Sequence, residues 1–275
     1  MADPAAVDAL VGKYHRRLAV YLRALLPAAK DADAALRETM VRLAEHASES
    51  PATNTADWAE RIARQVAVER RQGQSPLPFS DDLFRQLADS AGPILHQSET
   101  RPAVLAQILK QLPPPERELV RRRYELGLRG DQIALAENQS ATAVARDLAS
   151  LHASLVSALR QDLPDTGLEP PGGATDLGRM ADQLFDGTIS EDGRLVLETL
   201  LLADAAAQVH YHRHAALIAE LTWQYGGAPA LPELPKPKRR GITGREWAVT
   251  IAFLVACTIV IGLVTWAVST WFRNS

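Results

Sequence analysis

The sequence predicts an all-α protein: two small helical domains, the second a helix-turn-helix, then a helical acidic module and one transmembrane helix. Three observations lead there. Apolar residues recur at spacings of three and four, while the strict alternation of a half-buried strand is scarce. Proline and glycine cluster between the periodic stretches. Residues 247–272 contain no charged side chain. A chain of 275 residues has room for about two domains plus further segments. A hydrophobic content of 47% is enough to build packed cores.

The first domain is expected over 1–72. From Val7 to Leu26, a helix carries Leu10, Val11, Tyr14, Leu18, Tyr21, Leu22 and Leu25 on one side. Pro27 follows, then a second helix from Asp31 to His46 with Leu36, Met40 and Leu43 in register. A polar loop from Ser48 to Thr55 leads to Asp57, which can cap a helix holding Trp58, Ile62 and Val66. That helix ends in Arg70-Arg71-Gln72. Residues 73–111 read as a linker, broken by Ser75-Pro76-Leu77-Pro78, Gly92-Pro93 and Arg101-Pro102, with one short helix around Asp82–Ala88. A tether of this kind raises the effective concentration of the second module once the first is bound.

The second domain is expected over 112–163. Leu112-Pro113-Pro114-Pro115 blocks an incoming helix, because proline lacks the N–H and fixes its backbone dihedral. Glu116 to Leu126 places Leu119, Val120 and Tyr124 at helical spacing, and Gly127 stands where a left-handed cap is needed. Asp131 can cap a short helix burying Ile133 and Ala134. Asn138-Gln139 turns the chain, and Ser140 can cap a third helix whose stripe is Val144, Leu148, Leu151, Leu155 and Leu159. Two helices joined by a tight turn, the second long and well capped, can lay a recognition helix in the major groove.

The stretch "LPPPERELVRRRYELGLRGDQIALAENQSATAVARDL" resembles the promoter-binding region-four domain of bacterial extracytoplasmic-function sigma factors. Residues 1–72 resemble the same family's region-two domain. "KDADAALRETMVRLAEH" is similar to the helix that grips the polymerase clamp, and "DWAERIARQVAVERRQ" to the helix that meets the −10 element. The resemblance implies two partners, RNA polymerase core and promoter DNA. It would put Asp31, Asp33, Glu38, Thr39 and Arg42 near polymerase. It would put Trp58, Arg61, Arg64, Arg70, Arg71, Gln132, Ser140, Thr142 and Arg146 near DNA. The chain departs from the family pattern at Ala34 and Arg37 in the clamp helix, and at Ala145, Asp147 and Ser150 in the recognition helix. Arg146, with His152 further along, is what remains of the basic face. Arg–guanine pairs are the commonest specific readout, so their loss implies a weak or altered reader.

Residues 164–176 read as a flexible boundary around Pro170-Pro171-Gly172-Gly173. The module 177–225 is expected to be helical, with Met180, Leu184 and Phe185 on one helix, a turn at Asp186-Gly187, and Ser190 as a cap. It is loosely similar to segments that precede the membrane helix in some bacterial sensor-type proteins. Residues 164–235 hold 3 basic against 11 acidic side chains, so the module could lie across the arginines of the first two domains and mask them. His210, His212 and His214 are expected on a solvated face. Only His210 and His214 share a helix side, and zinc needs three or four ligands, so no metal is expected.

Residues 226–246 form a Pro/Gly-rich and basic linker, exposed enough to be a site for a releasing protease or another regulator. The run 247–272 is long enough to cross a bilayer, with Trp247, Trp266 and Trp271 near its ends. Lys236, Lys238, Arg239, Arg240 and Arg245 precede it. The expectation is therefore a single-pass protein of the bacterial inner membrane, in contact with lipid through 247–272, its N-terminal bulk cytoplasmic.

No Gly-rich phosphate loop or catalytic triad is visible, so neither enzymatic chemistry nor a cofactor is expected. A single cysteine, Cys257, excludes an internal disulfide framework. Residues 112–163 balance at 7 basic and 7 acidic side chains, which weakens independent DNA affinity. Two function classes follow: a membrane-tethered sigma-like regulator of transcription initiation, or a degenerate sigma-like adaptor or anti-sigma-like protein that binds proteins without reading DNA.

Overall fold

Helical periodicity becomes helix nearly everywhere the sequence shows it. The computed structural model describes residues 4–46, 55–72, 78–97, 99–163 and 174–227. In chain order these form α1 (Pro4–Leu25), α2 (Ala29–Glu45), α3 (Thr55–Gln72), α4 (Asp81–Ser90), α5 (Gly92–Leu95) and α6 (Arg101–Gln111). Then come α7 (Pro114–Val120), a π turn (Arg121–Glu125), α8 (Gly130–Glu137), α9 (Ala141–Asp162), α10 (Ala174–Phe185), α11 (Glu191–Ala203) and α12 (Ala205–Gly226).

The three N-terminal helices pack on one another. They bury the stripe Val11, Tyr14, Leu18, Leu22 and Leu25 against Leu36, Met40, Leu43, Val66 and Ala67. Residues 78–111 depart from the expected linker. They supply α4, α5 and α6, and Phe79, Leu83, Leu87, Ile94, Leu105 and Leu109 enter the same core. The reason is amphipathicity: α4 has a strongly one-sided apolar face, and Ser80 caps it, its hydroxyl accepting from the Leu83 N–H at 3.3 Å.

Helices α7 to α9 build the helix-turn-helix, with a small core of Ile133, Ala134, Val144 and Leu148. Gly127 takes φ +66°, and Asn138 closes α8 at φ 53°, a left-handed conformation that asparagine tolerates. The cap of α8 is Arg129 rather than Asp131. Its N–H donates to the Gln132 side chain at 2.9 Å, while Asp131 pairs with the Arg129 guanidinium at 2.6 Å. Ser140 caps α9 as its position predicts, accepting from the Ala143 N–H at 3.1 Å.

α12 is the hub. It packs against α1, α4, α5, α9, α10, α11 and the π turn. Tyr211, Ala215, Ala216, Leu217 and Leu221 on it are fully buried. The Tyr211 hydroxyl donates to the Ala24 carbonyl at 2.9 Å, and Glu220 meets Arg16 at 2.6 Å. The expectation of a solvated histidine face fails here. His212 and His214 are 2% and 1% exposed, because α12 packs against α1, α4, α5, α9, α10, α11 and the π turn.

No helix among the described residues is long and apolar enough to cross a membrane. This corrects the predicted fold class, which included one transmembrane helix, and with it the single-pass inner-membrane location. α1, α9 and α12 are each 22 residues long, but they carry charged side chains, Arg213 and Glu220 on α12 among them, and spend their apolar faces on the protein core. The run 247–272 on which that expectation was built lies outside the described residues, as do 164–173 and the linker from 228 onward.

Candidate functional site

The residues expected near polymerase and DNA divide into an exposed set and an internal set. On α2, Glu38 bonds both Arg42 and Arg70, the latter at 2.9 Å, and Arg42 also grips Glu69. This network on α2 and α3 holds Arg42's proton more tightly than usual, chiefly through the Glu69 bond, and lowers Glu69 for the same reason. Thr39 is fully buried and donates to the Ala35 carbonyl at 2.8 Å, so it serves its own helix. Asp31 is partly exposed at the start of α2. Asp33 lines a cavity of about 50 Å³ together with Arg23 of α1 and Thr222 and Trp223 of α12. One face of α2 is thus bordered by the hub helix α12.

On α3, Arg61 is exposed and Arg64 pairs with Asp89 of α4 at 2.6 Å. Trp58 is 9% exposed within the core, so its ring offers no stacking face for a base. Arg71 is also internal. It donates to the carbonyls of Phe79 and Ser80, pairs with Asp81 at 2.9 Å and lies over the Phe84 ring. It staples the end of α3 to the start of α4. The two have different causes: α4 and the turn before it hold Arg71, whereas Trp58 enters the core, with α3 packed on α1 and α2.

The first turns of α8 and α9 are largely exposed. Gln132, Ser140, Thr142 and Arg146 are all exposed, and so are Ala141, Ala145 and Asp147 on the first turns of α9. Two of these four also have local duties, since Gln132 and Ser140 cap helices. The flank between α7, α8 and α9 is an acidic groove of about 450 Å³, lined by Glu116, Glu118, Glu137 and Asp147. Arg121 and Arg122 neutralise Glu118, holding its carboxyl down near 2.

The second half of α9 runs into the interior and meets the C-terminal module at a polar cluster. His152 Nδ1 lies 2.7 Å from Asp182 Oδ1, and His214 Nε2 lies 2.6 Å from the same oxygen. His152 Nε2 lies 2.7 Å from the Tyr124 hydroxyl. The cluster joins α9, α10, α12 and the π turn. Burial alone would raise the Asp182 carboxyl, but the two imidazoles overcome it and hold the group well below the ordinary range. An ionised Asp182 only accepts, so both ring nitrogens facing it donate, and His152 Nε2 is left to accept from Tyr124. Burial pushes the Tyr124 hydroxyl up, which keeps its proton available for that bond. Asp182 Oδ2 and His214 Nδ1 are buried without a hydrogen-bond partner.

Acidic residues of 177–225 meet one arginine of α1, one of the π turn and a backbone N–H just before α4. Glu220 engages Arg16 at 2.6 Å, Asp186 engages Arg123, and Glu198 accepts from the Ser80 N–H at 3.1 Å. None of these arginines is among those assigned to DNA. The sequence reading missed Tyr124, His152 and Asp182 as a unit. They are separated by about thirty residues at each step, and the one visible signal, a cluster of histidines, pointed to three neighbours on α12, only one of which belongs. No protein-family model matches this chain, and no curated protein matches it.

Proposed function

We propose that the chain is a sigma-factor-like regulator of transcription initiation that binds RNA polymerase core and promoter DNA. The observation that carries this reading is the helix-turn-helix. α9 is rooted in the core by Leu151, Leu155 and Leu159, while its capped first turns stand free with Thr142 and Arg146 exposed. A rigid root and a free N-terminal end are what a helix entering the major groove requires. No covalent step is assigned to the chain, which would supply position while the polymerase supplies chemistry. Tagged full-length chain is expected to co-purify core polymerase and to enrich DNA upstream of genes. Recovery of neither polymerase nor DNA at low salt overturns the reading.

A second reading, a sigma-like adaptor that binds proteins without reading DNA, is favoured by the acidic groove beside α9. Arg121 and Arg122 pair with Glu118, and Arg122 with Glu137, so Glu116 and Asp147 are the carboxylates that repel phosphate and suit a basic protein segment. Recovery of a protein partner without DNA enrichment supports this reading over the first.

A further inference from the structure

His152, Asp182 and His214 come from three different helices and present ligand atoms all within 4.8 Å of one another. The histidines are 3% and 1% exposed. From this arrangement we infer a zinc-class metal site, formed by His152 Nδ1, His214 Nε2 and the Asp182 carboxylate, that pins the recognition helix to the C-terminal module.

Two imidazole nitrogens and one carboxylate form a borderline donor set that suits Zn²⁺ or Co²⁺; Ca²⁺ and Mg²⁺ call for oxygen shells. Asp182 Oδ2, buried with no donor, is a second argument. A bare carboxylate oxygen in the interior is costly, and a dication bound through both carboxylate oxygens satisfies it directly. Seating the ion asks for a small adjustment. Bonds of about 2.0–2.2 Å place tetrahedral ligands roughly 3.3 Å apart, so the contacts of 2.7 and 2.6 Å with Asp182 open by about 0.6–0.7 Å. The surroundings then fit the ligated tautomer. With the metal on Nδ1, His152 carries its proton on Nε2, 2.7 Å from the Tyr124 oxygen, which becomes the acceptor that orients the ring. Three protein ligands leave one position for water, so the metal is expected to be exchangeable.

The site stands apart from the proposed function, because metal uptake is read without polymerase or DNA. Chelator-treated full-length chain titrated with Co²⁺ is expected to saturate at one equivalent, to show the visible absorption of four- or five-coordinate cobalt, and to lose it to Zn²⁺. Zn²⁺ at a hundredfold excess over Kd should raise Tm by about 5–10 °C. H152Q, D182N and H214Q should each weaken uptake at least tenfold, Y124F by about 10- to 100-fold, and H210Q not at all. If the ligand variants fail to fold, X-ray absorption of the zinc-loaded wild-type chain decides. Two imidazoles with oxygen support the site, while an all-oxygen or sulfur-containing shell overturns it. Absence of stoichiometric uptake by the wild-type chain overturns it, as does uptake that survives H214Q and D182N or is lost with H210Q.

Discussion

Burial gives single side chains in this protein properties that their identity does not suggest. His15 lies edge-on to Trp223, with ring centroids 4.6 Å apart, and burial lowers its pKa from 6.5 to about 4. The folded protein keeps this ring neutral while the unfolded chain protonates it, so its contribution is complete above about pH 6.5 and is lost as pH falls toward 4. Glu220 has the opposite sign. Burial raises its carboxyl, Arg16 and Arg101 offset only part of that, and its contribution is lost as pH rises. H15F keeps a ring against Trp223 and leaves Glu220 in place. Urea midpoints should therefore fall less between pH 7 and pH 5 for H15F than for wild type; equal falls would remove His15 as a source of acid sensitivity. Arg146 stands alone as a cation on the exposed turns of α9. If α9 reads a base edge, R146A should lower affinity for an enriched promoter fragment by about 5- to 150-fold in fluorescence anisotropy, with thermal stability unchanged.

Individual helices were legible where capping and stripe agree. Ser140 is the clearest case: a serine before an apolar stripe predicted the start of α9, and its hydroxyl accepts from the Ala143 N–H. S140A should cost about 1 kcal/mol of stability, measured by chemical denaturation, because the helix loses that acceptor. The start of α8 was misread by two residues. Asp131 looked like a cap, but the Arg129 N–H bonds the Gln132 side chain, leaving Asp131 to pair with the arginine. Prolines misled the reading of 73–111 in the same way. Pro102 sits at the first turn of α6, where a missing N–H costs nothing, so it starts a helix that its presence seemed to forbid.

For the whole molecule, the decisive feature is that α12 is shared. The N-terminal helices and α9 with the π turn all bury apolar surface against it, so the described helices form one body instead of two beads on a tether. Native-state hydrogen exchange should give the slowest amides of α3 and α12 closely similar opening free energies. Chain termination at Asp204, which removes α12, should unfold both domains in far-UV circular dichroism. Two independently melting bundles in the truncated chain would show that the hub is dispensable. The hub also reaches α2, since Asp33 lines one cavity with Thr222 and Trp223.

Taken by itself, the sequence determined the helical class, the helix-turn-helix with its Ser140 cap and left-handed Gly127, and the N-terminal bundle. All of these follow from local periodicity and from residues whose backbone preferences act within a turn or two. Only the tertiary structure decided that Trp58 and Arg71 face inward, that His212 and His214 of α12 are buried, and that Tyr124, His152, Asp182 and His214 meet. A periodic pattern shows that a helix has an apolar side, but not which other helix will cover it. Contacts between segments some thirty to two hundred residues apart leave no local mark, and those contacts set the surroundings of every residue in the candidate site.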